Sequence, residues 1–92
     1  MYVMAINHDI EDYDRFKAVF DEFPPSNGGA LYYRLSRNVD NPKNLTIVSG
    51  FASMETAIAF RDNPDLKDAM GRAGVVGHPR IELYEEIESV QY

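Results

Sequence analysis

"ALYYRLSRNVDNPKNLTIVSGF", residues 30–51, decides the fold. In its first third the apolar side chains of Leu31, Tyr33 and Leu35 alternate with Arg34 and Ser36, the period-two pattern of a strand with one buried face. "LTIVSGF" is a second β-rich run. The "NVDNPKN" between them is rich in Asn, Asp and Pro, the residues that favour turns. The stretch predicts an antiparallel hairpin in the middle of the chain.

Each arm of that hairpin connects to a helix and then to a further strand. On the N-terminal side, Tyr13, Phe16, Val19, Phe20 and Phe23 recur at three- and four-residue spacing and share one helical face. Asp9 or Asp12 can cap that helix, its acidic first turn suits the positive end of the helix dipole, and "PPSNGG" (24–29) ends it. Residues 2–8 before it are apolar and β-friendly. On the C-terminal side, Ser53 caps "METAIAFRDNPDLKDAMGRAG" (54–74). Asn63-Pro64 breaks this segment, because Asn63 can cap a second piece whose first residue is Pro64. Gly71 and Gly74 let it terminate. "RIELYEEIESV" (80–90) reads as the last strand.

The order is βαββαβ. Its simplest packing is an α+β, ferredoxin-like fold, a four-stranded antiparallel sheet with both helices on one face. Right-handed crossovers place the first and third strands at the centre and the fourth beside the first. The expectation is a single domain over 1–92, with no linker, short repeat or low-complexity run.

Bulk composition removes several function classes. Fifteen Asp and Glu against nine Lys and Arg leave a net charge of −6 with no basic cluster, so nucleic acid is not an expected partner. With no cysteine there are no disulfides and no thiolate metal sites. "MYVMAINHDI" lacks a basic n-region and meets charge at Asp9, unlike a signal peptide or membrane span. A cytoplasmic protein that binds no membrane is expected. A chain of this length buries only about 60–65% of its unfolded surface, so a second copy is the natural source of extra burial.

By strand parity, Leu31, Tyr33, Leu35, Leu45, Ile47, Phe51, Ile81, Leu83 and Ile87 face the helices. Ser49 and Glu85 are polar interruptions of that set. Glu85 is either a strand-end irregularity or a carboxylate lining a cavity. The opposite face carries Tyr32, Arg34, Thr46, Val48, Glu82, Tyr84 and Glu86. Aromatic residues mixed with arginine and carboxylates suit an interface between folded chains, although a solvated antiparallel face also tolerates them. The expectation is a homodimer through this face, with Arg34 of one chain reaching Glu82 or Glu86 of the other.

"DIEDYDRFKAVFDE" and "NPKNLTIVSGFASMETAIAFRDNPDLKDAMGRAGV" resemble the dimeric α+β barrel superfamily, and within it the small proteins grouped with the antibiotic biosynthesis monooxygenases. The similarity spans nearly the whole chain. Its motifs, an "S-x-E-x-A-x-A-F" helix leading to "P-x-L", describe fold rather than chemistry. The resemblance implies two sheets packed face to face as a dimeric barrel, helices outside, and any ligand between sheet and helices of one subunit. It also implies cofactor-free oxygenases of polycyclic phenols, polyketide cyclases, isomerases or proteins of no known activity, so no cofactor is expected. The oxygenases typically use a tryptophan. This chain has none, and Phe16 stands where similar sequences often place one, so no oxygenase residue carries over.

Two histidines remain, and the topology puts both at one end of the sheet. His8 ends the first strand, and His78, between Gly77 and Pro79, precedes the fourth. Either could act as a general acid or base on a phenol or enol; alternatively they end strands and bond local backbone. Their spacing is not a metal-ligand motif. His8, His78 and Glu85 are therefore the catalytic candidates. Tyr13, Phe16, Phe20, Tyr33 and Phe51 are the expected lining of an aromatic-ligand pocket of roughly 300 Å³ or more; the competing reading is a filled core. "GRAGVVG" follows a helix and is no phosphate loop, and Ser49 and Ser53 lack a nucleophile-elbow setting. The alternative to a small-molecule enzyme or binder is a non-catalytic dimeric module.

Overall fold

The computed structural model describes residues 1–92. Strand β1 (Tyr2–Ile10) is followed by α1 (Tyr13–Glu22) and a single 3-10 turn at Pro25–Gly28. The hairpin β2 (Tyr32–Arg37) and β3 (Asn44–Phe51) comes next. Helices α2 (Met54–Asp62) and α3 (Pro64–Arg72) then lead into β4 (Val75–Glu85). The sheet order is β2-β3-β1-β4, antiparallel throughout, so β1 and β3 are central and β4 lies beside β1.

Local chemistry sets the element ends. Asp12 caps α1 by accepting the Arg15 backbone N–H at 2.9 Å. Ser53 caps α2 by accepting from Thr56 N at 3.1 Å. Asn63 closes α2 and caps α3, so Pro64 begins a helix rather than breaking one. The ring of Tyr32 lies across the Gly50 backbone, where a Cβ would stand 2.2 Å from the ring, so only glycine permits this approach.

β4 departs from its expected span. It begins at Val75 instead of Arg80 and ends at Glu85 instead of Val90. Its ladder to β1 runs from Asn7 opposite Arg80 to Asp9 opposite Val76, which leaves Gly77, His78 and Pro79 all facing His8. This is a bulge. An edge strand tolerates it because the outer amides have no strand to pair with, and Gly77 at φ +72 relieves the turn. Ile87 therefore lies beyond the sheet and is 92% exposed, and Leu31 precedes β2 and is also exposed; neither faces the helices as parity alone predicts.

The helix side of the sheet is dry. Met4, Ile6, His8 and Ile10 of β1 alternate into it, with Leu45, Ile47, Ser49 and Phe51 of β3. Met4, Ile6 and Phe51 pack with Ala57, Phe60 and Leu66, whereas Ile10, Leu45 and Ile47 pack with Phe16, Phe20 and Ala73. Both groups draw on β1 and β3, which places α1, α2 and α3 on one face. The surface ion pairs, such as Arg15–Glu11 at 3.1 Å, are largely exposed and contribute about 0–1 kcal/mol each.

Candidate functional site

His8 is the one ionisable side chain sealed into this core. Its parity with Ile6 and Ile10 points it at α1, where its ring lies 5.3 Å from that of Phe16, and it is 4% exposed. Phe16 stacks on Phe20 at 5.6 Å, and Tyr33 meets Phe20 edge-on at 5.0 Å. The imidazole Nδ1 is buried with no hydrogen-bond partner. Burial pushes the imidazole below its usual pKa, opposed in part by neighbouring backbone and by the Asp9 carboxylate. A neutral imidazole offers one donor and one acceptor, so His8 can take or give a single proton to a hydroxyl brought against it. Leaving such a group unpaired costs about 1–3 kcal/mol.

The space beside His8 is small. The cavity has a volume of about 40 Å³ and is walled by Ile6, Phe16, Phe20, Leu66 and Met70, among others that are mostly apolar. A water needs roughly 10–15 Å³ on this measure, so a few waters would fill it. The drug-sized pocket expected from the sequence is not present in this conformation.

The five aromatic residues assigned to that pocket are also divided. Phe16 and Phe20 line the cavity. Phe51 is fully buried in the other core group, 5.7 Å from Phe60. Tyr13 packs at the edge under the Arg37 guanidinium, 4.6 Å above its ring, and Tyr33 is exposed apart from its contact with Phe20. Sequence reasoning missed Leu66 and Met70, whose i,i+4 spacing on α3 marks them as one apolar face.

The other catalytic candidates lie elsewhere. His78 is exposed on the β4 bulge, lining a separate groove. Glu85 is opposite Tyr2, six residues along β1 from His8, which is about 20 Å of strand. The fold thus places His8 and His78 at one end of the sheet, one inside and one outside, and Glu85 at the other end. No group of three or more His, Cys, Asp or Glu is arranged to hold a metal ion.

On the face away from the helices, Val3, Ala5 and Asn7 of β1 align with Gly50, Val48 and Thr46 of β3 and with Tyr84, Glu82 and Arg80 of β4. Its charges find partners within the chain. Arg34 stacks over Tyr32 at 4.6 Å, and Glu82 pairs with Arg80 at 2.7 Å. The neighbouring Glu82 carboxylate raises the pKa of the Tyr84 phenol. Asn7 and Asn44 exchange amide hydrogen bonds of 3.0 and 3.1 Å at one end of this face. No helix is long and apolar enough to cross a membrane.

Comparison with known proteins gives fold and little else. No family model matches the chain. No curated protein matches it either. Solved structures do. A candidate antibiotic biosynthesis monooxygenase from Deinococcus radiodurans superposes with a TM-score of 0.75 at 14% identity, covering 100% of this chain and 98% of that one. One from Caulobacter crescentus gives 0.75 at 20% identity, covering 95% and 90%. SnoaB of Streptomyces nogalater, described as a cofactor-independent oxygenase, gives 0.74 at 11% identity, covering 99% and 97%. With TM-scores of 0.74–0.75 and near-complete mutual coverage, the chain shares the βαββαβ, ferredoxin-like fold of these antibiotic biosynthesis monooxygenase-like structures.

Proposed function

We propose that this protein is a cytoplasmic, homodimeric small-molecule enzyme or binder of the antibiotic biosynthesis monooxygenase/cyclase-like type, acting on an aromatic or polyketide-like compound between sheet and helices. One observation carries this reading: His8 is buried in an apolar chamber with an unpartnered ring nitrogen. A phenol or enol hydroxyl brought into the chamber would satisfy that nitrogen and exchange a proton with it. Because the chamber measures about 40 Å³, a planar ligand must displace α1 or α3 outward to enter. His8 is the catalytic residue of this reading, with Phe16 and Phe20 stacking on the ligand. His78 and Glu85 lie outside the chamber and have no part in it.

The chamber's size favours a second reading, a non-catalytic dimeric module with a filled core. A screen of planar phenols by oxygen uptake, product analysis and direct binding separates the two. We expect a phenol that binds or turns over in the wild type and fails to do so in His8→Phe, with the variant still folded. A wild type that neither binds nor oxidises any member of the set overturns the enzyme reading.

A further inference from the structure

The bulge in β4 does more than accommodate Pro79. Where Gly77, His78 and Pro79 swing away from β1, they border a groove of about 420 Å³ between β4 and the α2–α3 elbow. That volume lies within the roughly 300–1,000 Å³ range of small-molecule sites, and it is ten times that of the chamber beside His8.

The groove has a definite chemical character. Its floor is apolar, formed by Leu66, Met70 and Ile81. Its rim carries Arg61, Lys67 and His78, and no carboxylate lines it. In a chain of net charge −6, a rim that carries Arg61 and Lys67 and no carboxylate runs against the rest of the surface. Arg61 is partly satisfied by Asp62 at 3.0 Å. Lys67 has no ion pair at all, and His78 is exposed. A free ammonium above an apolar floor is complementary to a molecule with a negative head and a greasy body.

We propose that this groove binds an amphipathic organic anion, a carboxylate on an apolar chain or ring, with its head at Lys67 and His78 and its body on Leu66, Met70 and Ile81. Leu66 and Met70 also wall the chamber beside His8, so they form a partition between the two spaces. The groove site does not require that partition to open, and it stands whether or not the chamber takes a ligand.

Titration with decanoate, followed by calorimetry and backbone amide shifts, tests the proposal, with decanol as the uncharged control. We expect decanoate to bind the wild type and to move the amides of Gly71, Gly77 and His78. Lys67→Gln should weaken decanoate about five- to tenfold, the worth of one charge-assisted hydrogen bond in partial contact with water. Decanol affinity should be unchanged by that substitution. His8→Phe should leave decanoate binding intact, which separates this site from the chamber. The proposal is overturned by a wild type that binds no decanoate, or by Lys67→Gln binding it as tightly. It is also overturned by loss of binding in His8→Phe with shifts centred on α1.

Discussion

The two faces of the sheet are built from the same four strands, yet they obey different rules. On the helix side, every β1 residue from Met4 to Ile10 that points inward is buried, and polarity enters only as His8 and Ser49. On the other side, Val3, Ala5 and Val48 are only half covered and Tyr84 is 49% exposed, set among Arg34, Arg80 and Glu82. The first face is finished by the chain's own helices. The second has apolar surface that nothing in the chain covers. Covering it would therefore gain mainly from aromatic and aliphatic burial, with little left for ion pairs across a boundary. Within the single chain Arg34 stacks over Tyr32 and Glu82 pairs with Arg80, both on this uncovered face.

The sharpest way to break this contrast is to truncate one residue on each face. Phe51→Ala should cost about 3–5 kcal/mol in urea unfolding, because Phe51 is fully buried against Phe60. Val48→Ala should cost well under half of that for a lone chain. Equal losses would mean that the second face is as buried as the first, and so covered by another copy in solution. Association is the next effect in size. Val48→Asp and Tyr84→Asp place a charge in the apolar centre of the uncovered face, and sedimentation should show them as monomers at concentrations where the wild type is a dimer. Arg34→Ala should shift the equilibrium by only about 0–1 kcal/mol. A wild type that sediments as a monomer at micromolar concentration ends the dimer proposal.

The contrast can also be read at His8, through pH. Burial lowers its pKa in the folded state, while the unfolded chain titrates near the ordinary value of about 6.5. Below that value the unfolded chain binds a proton that the folded chain resists, so stability falls as pH drops. The slope is at most about 1.4 kcal/mol per pH unit, down to the folded-state pKa, and His8 contributes none above pH 6.5. In His8→Phe this component of the slope should vanish. Identical slopes in the two proteins would show that His8 is solvated and that the helix face is not sealed there.

How much of this was legible in the residues follows from where each signal lies. The hairpin turn at 38–44, the Asp12, Ser53 and Asn63 caps and the Asn63-Pro64 break are local, and they appear where the chain spells them. β4 starts five residues earlier than the apolar run at 80–90 suggests, because its edge position makes Gly77-His78-Pro79 a tolerable bulge. The aromatic residues of α1 correctly marked an inward face. Their spacing could not say whether that face packs or binds, because the difference is about 40 Å³ of space set jointly by α1, α3 and β1.

Element order, the helix caps, the apolar faces of α1 and β3 and the acidic charge are written in the chain, because they depend on residues within a few positions of one another. That His8 lies inside and His78 outside emerges only once the strands pair. The tertiary structure also parted Phe51 from Phe16, left Glu85 at the far end of the sheet, and brought Arg61, Lys67 and His78 to the rim of one groove. Those outcomes depend on strand register and on one bulge, and a shift of a single residue there turns a side chain to the opposite face.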